Sequence, residues 1–199
     1  MTPWRQPGWA WCAVAAVLAL GAALAQGRPA AAIDWQPGLA ASQPWRAFSA
    51  AFVHYSALHL AANAAGLVLV AALGAAARAP GRLALAWLAA WPLTQLGLLA
   101  QPELTHYGGL SGVIHAGVAI IGLYLATAGR RLLGGAILGV LLAKVLSETP
   151  WGAPLRHPAG WGIAIAPLAH ASGLAAGMTC AALAEGLAGR RQRQLNTRP

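Results

Sequence analysis

Six apolar runs, parted by short polar or proline-bearing stretches, constrain this chain more than any other feature. They lie at about 9–25, 51–77, 83–99, 111–128, 132–146 and 161–187. A hydrocarbon core roughly 30 Å thick takes about 20 apolar residues of helix to cross. Within lipid a backbone has to satisfy its own polar groups, which leaves helices or closed barrels. The runs therefore predict an all-α membrane protein with six transmembrane helices, one domain over residues 1–199 and a basic tail at 188–199. The fifth run is the shortest and the richest in glycine. Only 9% of the residues are charged, against roughly 25% in soluble chains, and the mean hydropathy is +0.59.

The formal net charge of +9 would suit a nucleic-acid partner if the arginines formed a face. Instead they fall in short clusters between the runs, which fits topogenic loops and anionic headgroups and predicts no nucleic-acid partner. Arg5, Arg78, Arg82, Arg130, Arg131, Arg190, Arg191, Arg193 and Arg198 fall on one side. Arg28, Arg46, Lys144 and Arg156 fall on the other. That bias puts both termini in the cytoplasm. Trp9, Trp45, Trp151 and Trp161 sit where interfacial belt residues would. Arg5, the first run and Ala23-Leu24-Ala25 can also be read as a secretory signal with a cleavage site, which would leave five spans. Cys12 and Cys180 form no CxxC pair, so neither a disulfide framework nor a zinc site is expected. The stretch 26–44, with Pro29, Pro37 and Pro44, is the largest expected non-helical loop on the outer side. The stretch 147–160 is next.

Polar groups inside spans are costly and usually functional. Those of this chain map to one half of the bundle. The second run carries His54, His59 and Asn63, and the last two, four apart, share a helix face. Ser111 lies between glycines in Tyr107-Gly108-Gly109-Leu110-Ser111-Gly112, where a polar loop meets a helix, with His115 one turn on. The flanking glycines suit a sharp turn, and a serine on a first helical turn lies beside unpaired N–H groups. A bland alternative is that Ser111 merely caps the helix. The sixth run carries His170, and Gly173 and Gly177 after it form a small-xxx-small face for close helix approach. His106 and His157 are expected in exposed loops without a role, and Asn63, Gly173 and Gly177 taken singly could serve packing alone.

Together, Trp45-Arg46, His54-x4-His59-x3-Asn63, Gly109-Leu110-Ser111-Gly112 and Ala169-His170-x2-Gly173-x3-Gly177 resemble the rhomboid family of intramembrane serine proteases. The Gly-Leu-Ser-Gly-x2-His-x-Gly form is most similar to the rhombosortase branch, associated with substrates carrying a C-terminal Gly-Gly anchor. The resemblance implies a Ser111–His170 dyad with an oxyanion site made by the Ser111 backbone N–H, His59 and Asn63. Gly109, His54 and His115 support that site. It also implies a substrate that is a membrane-anchored protein entering from lipid, past a fifth span whose Gly134, Gly135 and Gly139 suit a lateral gate. No metal or other cofactor is expected. The setting is an integral membrane protein of the bacterial inner membrane, its site open to the outer side.

Many rhomboids carry a tyrosine where this chain has His115, which could stack on His170 or hydrogen-bond to it. Asp34, Glu103, Glu148 and Glu185 all lie away from the motifs, so the chemistry is read as a dyad without a third carboxylate member. The rival readings are a non-proteolytic rhomboid-like binding protein, and a haem or metal protein ligated by His59, His115 and His170.

Overall fold

The computed structural model describes residues 8–157 and 163–196, leaving out the side chains of 191–193 and 195–196. Arg5, Arg198, Pro158 and Trp161, with the start of the sixth run, lie outside the described residues, as do the side chains of Arg191 and Arg193. The described residues are helical, with no β-strand among them.

Eight α-helices follow in order: α1 (Trp9–Leu24), α2 (Ala30–Ile33), α3 (Arg46–Ser49), α4 (Ala57–Ala76), α5 (Gly81–Leu96), α6 (Ser111–Thr127), α7 (Arg131–Ser147) and α8 (Pro167–Asn196). The helical portions Ala57–Ala76, Gly81–Ala100 and Pro167–Arg190 are long and apolar enough to cross a membrane. Trp9–Leu24 and Ser111–Thr127 are shorter apolar helices. At 1.5 Å per residue, 16 or 17 residues reach only about 24–26 Å, so among the described residues three helices reach full spanning length by length and composition. The second run breaks near its start because Ala50–Phe52 turns as a 3-10 segment and Ser56 caps α4, accepting from the His59 N–H at 3.1 Å. The expected open loop at 26–44 is partly helical, holding α2 and a 3-10 turn at Pro37–Leu39.

Tryptophans and small residues bind the bundle. Trp11 of α1 is fully buried, stacks on Trp87 of α5 at 4.3 Å, and donates its indole N–H to the Val70 carbonyl of α4 at 2.9 Å. Trp87 donates to the Val113 carbonyl of α6 at 2.8 Å. Buried indole N–H groups need acceptors, so Trp11 and Trp87 each fix one helix pair in register as they fill space. Trp9, Trp45 and Trp151 are exposed, as belt residues would be. At the other end of the bundle from the serine loop, Arg82 of α5 and Glu185 of α8 form a two-pronged ion pair at 2.8 and 3.1 Å.

The loop before α6 is held from below. Trp35 and Tyr107 exchange backbone hydrogen bonds at 2.7 and 2.9 Å, and the Gly109 N–H donates to the Ala50 carbonyl at 2.9 Å. Arg46 secures the facing loop, donating to the Asp34 and Ala31 carbonyls and lying 3.5 Å from the Asp34 carboxylate. Both contacts place residue 111 at a fixed height on the bundle.

Candidate active site

Ser111 is the first residue of α6, His59 the third of α4 and His170 the fourth of α8. Three helix N-termini therefore meet at one end of the bundle, with their partial positive charge directed there. The C-terminal end of α7 joins them, bringing Lys144 and Glu148. The side chains line a cavity of about 790 Å³ that also reaches Asn63, Tyr107 and His115.

Ser111 makes no capping bond; Leu110 holds the N-cap position of α6. Its hydroxyl instead lies 2.9 Å from His170 Nε2. This contact depends on how closely α6 and α8 approach. A Cβ at Gly173 would collide with the Gly112 carbonyl oxygen, and one at Gly112 would lie 2.7 Å from the Ala169 carbonyl oxygen. One turn on, a Cβ at Gly177 would sit 2.8 Å from Ala116 Cα. Glycine at these three positions lets the backbones touch, and the serine and histidine next to them are drawn into reach.

The nitrogens of His170 are both engaged. Nδ1 lies 2.6 Å from Glu148 Oε2 and 3.0 Å from Lys144 Nζ. A carboxylate only accepts and an ammonium only donates, so a single Nδ1 cannot satisfy both. The shorter contact assigns Nδ1–H to Glu148 and leaves the Nε2 lone pair for the Ser111 hydroxyl. The expectation of a dyad with no carboxylate near it is thus corrected. Glu148 follows the last turn of α7 directly, and that helix end packs beside the start of α8. Burial opposes ionisation of Glu148, but hydrogen bonds and charge from His170 and Lys144 outweigh it and hold the carboxyl at about 2.

His115 stacks face to face on His170, with ring centres 4.2 Å apart and planes 9° apart. Its own nitrogens turn elsewhere. Nδ1 lies 2.6 Å from the Ser111 carbonyl and Nε2 lies 2.7 Å from Lys144 Nζ. Nδ1–H therefore donates to the carbonyl and Nε2 accepts from the ammonium, which defines the neutral tautomer. Of the two modes open to His115, the geometry is stacking.

On the other side of Ser111, a Cβ at Gly109 would lie 2.8 Å from His59 Nε2 and 3.6 Å from Asn63 Nδ2. Gly109 also has a φ of +136°, which side-chain-bearing residues rarely adopt. His59 Nδ1 accepts from the Tyr55 N–H at 3.4 Å, so its Nε2 carries the proton. Asn63 Nδ2 is buried without a hydrogen-bond partner. Two N–H donors thus converge on the backbone two residues before the serine.

His54 differs from its expected placement. It precedes α4, donates from Nδ1 to the Phe52 carbonyl at 3.1 Å and sets its ring edge against His59 at 5.0 Å. It does not line the serine cavity. Burial lowers its pKa, partly offset by the Phe52 carbonyl. His106, expected in an exposed loop without a role, is exposed and in a loop, and it also lines the cavity and lies 2.8 Å from Asp34 Oδ2.

Lys144, Glu148 and Tyr107 were not singled out by sequence pattern. The Tyr107 hydroxyl donates to the Gly109 carbonyl at 3.4 Å, and burial raises its pKa. A signal for the pair existed in Lys144 and Glu148 themselves, opposite charges four residues apart at the end of an apolar run.

Residues 41–185, well over half of the chain, match the family model described as the Rhomboid domain. The match takes in Ser111, His170, His59, Asn63, His115, Lys144 and Glu148, and leaves out Asp34 with α1 and α2. Comparison with curated proteins gives no match.

Proposed function

Because the chain belongs to the rhomboid family, whose members are typically intramembrane serine proteases, we propose that it is a serine endopeptidase acting by a Ser111–His170 dyad. Its substrate is a membrane-anchored protein cut at or near its transmembrane segment. The observation that carries this reading is the 2.9 Å contact between Ser111 Oγ and His170 Nε2 beside an unpartnered Asn63 amide. As Ser111 Oγ attacks a peptide carbonyl carbon, its proton passes to His170 Nε2. The carbonyl oxygen gains charge and is met by the Ser111 backbone N–H, His59 Nε2–H and Asn63 Nδ2–H. His170 then returns the proton to the leaving amine, and water releases the acyl group by the reverse path.

The Gly109-Leu110-Ser111-Gly112 and His115 pattern favours substrates with a C-terminal Gly-Gly anchor, in the manner of rhombosortases. Both termini face the cytoplasm of a bacterial inner membrane and the site opens outward. α7, packed on α6 along one side, is the element past which substrate enters from lipid. The close packing of Trp11 against α4 and α5 favours retention of the first helix. A haem or metal reading draws no support from geometry, because both nitrogens of His115 already point to other groups.

The test is a fluorophosphonate activity probe applied to the membrane-embedded protein. Labelling of the wild type and none of Ser111→Ala is the expected result. Equal labelling of both would defeat the reading, and would return weight to a non-proteolytic binding protein.

A further inference from the structure

We propose that Glu148, steadied by Lys144, is a positioning residue for His170; this rests on the serine–histidine reading. Glu148 Oε2 lies 2.6 Å from His170 Nδ1, and Lys144 Nζ lies 3.0 Å from Glu148 Oε1. Lys144 Nζ is also 2.7 Å from His115 Nε2, so one ammonium ties the carboxylate to the ring stacked on His170. The remaining titratable groups around His170 are His59 from α4, His115 from α6 and, across Ser111, Tyr107.

The device has two parts. The carboxylate fixes Nδ1 as the protonated nitrogen, which presents the Nε2 lone pair to Ser111. When Nε2 takes the serine proton, the imidazolium keeps its Nδ1–H and Glu148 stays ionised beside it. No proton passes to Glu148. The proton on Nε2 goes on to the leaving amine, so the histidine ends as it began. Lys144 alone would oppose that imidazolium from 3.0 Å away. Glu148 cancels this charge, so its removal does two kinds of harm: it frees the ring and leaves the ammonium unbalanced. A salt bridge that only fastened α7 would do neither.

Charge at Glu148 separates a positioning role from simple packing. Full-length protein in liposomes is treated with a fluorophosphonate probe, and the labelling rate is followed against pH. Glu148→Gln should label about tenfold to a hundredfold more slowly, with the acidic limb of its profile moved to lower pH. Glu148→Asp should recover most of the rate. Adding Lys144→Met to Glu148→Gln should bring the limb back towards its wild-type position, since the unbalanced cation is gone. A Glu148→Gln rate and limb matching wild type would overturn the proposal. So would a slowed rate with an unmoved limb and no recovery in Glu148→Asp, which marks a structural role.

A second readout is independent of catalysis. With ¹⁵N-labelled histidine, Ser111→Ala protein should show a downfield Nδ1–H resonance for His170, absent from Ser111→Ala/Glu148→Ala. Persistence of that resonance without Glu148 overturns the proposal even if no variant reacts with the probe. Failure of wild type alone to label, with the resonance behaving as expected, would instead count against the protease reading and leave the contact standing.

Discussion

His170 is gripped between two seams that work by different physics. On the α6–α8 side the backbones themselves touch, through Gly112, Gly173 and Gly177. On the α7 side the helix packs through Gly134, whose Cβ would clash with the Ala126 amide nitrogen, and buries little besides Leu141 and Val145. Much of α7 faces outward, with Leu132 92% and Val140 71% exposed. The site end of α7 is held by Lys144 and Glu148, charged groups that reach His115 and His170. Close-packed backbone is stiff because any change of volume is felt at once. Polar tips on an otherwise exposed helix can be made and broken without repacking a core. The first seam fixes a distance, and the second sets an orientation.

The largest expected effect comes from deleting what the stiff seam brings together. Ser111→Ala, His170→Ala and the double variant should each lose on the order of 10⁴-fold or more in cleavage, to a shared floor, because residues acting as a unit are not additive. A His170→Ala enzyme near the wild-type rate would remove the premise of the comparison. Next in size is the seam itself. Gly173→Leu keeps the Ser111 and His170 side chains but forces the backbones apart, and cleavage should fall about 10²-fold or more. If the α6–α8 contact were incidental, that variant would cleave normally.

A smaller effect tests the stacked ring. His115→Ala should lower kcat more than it raises KM, by up to about tenfold, as expected for losing one aromatic pair. His115→Tyr, which keeps a ring face, should lose less. Cleavage by His115→Ala at the wild-type rate, with unchanged pH dependence, would reduce His115 to a space filler.

The smallest effects sharpen the contrast along α7. Gly134→Ala should lower the thermal midpoint measurably, whereas Gly135→Ala, whose Cβ meets nothing within 4 Å, should stay within about 0.5 kcal/mol of wild type. Equal thermal shifts would mean that α7 is not seated on α6 through Gly134. The pH dependence of stability gives a further check. The folded Glu148 carboxyl is depressed from 4.5 to about 2. Its contribution is therefore complete above 4.5 and is lost as the pH falls towards 2. The thermal deficit of Glu148→Gln relative to wild type should shrink over that window.

The membrane class, the helical character and the cluster at Ser111, His59, Asn63 and His170 were legible because they rest on local pattern. Apolar runs dictate helices in lipid, and spacings of four put side chains on one face. Helix lengths were less legible. Residues 51–56 are apolar enough to join the second run, yet Ser56 caps the helix only after them, which leaves His54 outside it. His115 could be placed on the serine face, but its choice between stacking and hydrogen bonding depended on what else lay near its nitrogens.

Hydrophobicity and spacing, which act within a few turns of chain, thus determined that this protein is a bundle of apolar helices with serine, histidine and amide groups at one end. Only tertiary structure decided that Glu148 faces His170. The contact joins residues 22 apart in sequence, across the end of α7 and the start of α8. Along the chain, Lys144 and Glu148 are an ordinary opposite-charge pair four residues apart. The packing of α7 against α6 sets which way that pair points, and so turns two charges at the end of that helix towards His170.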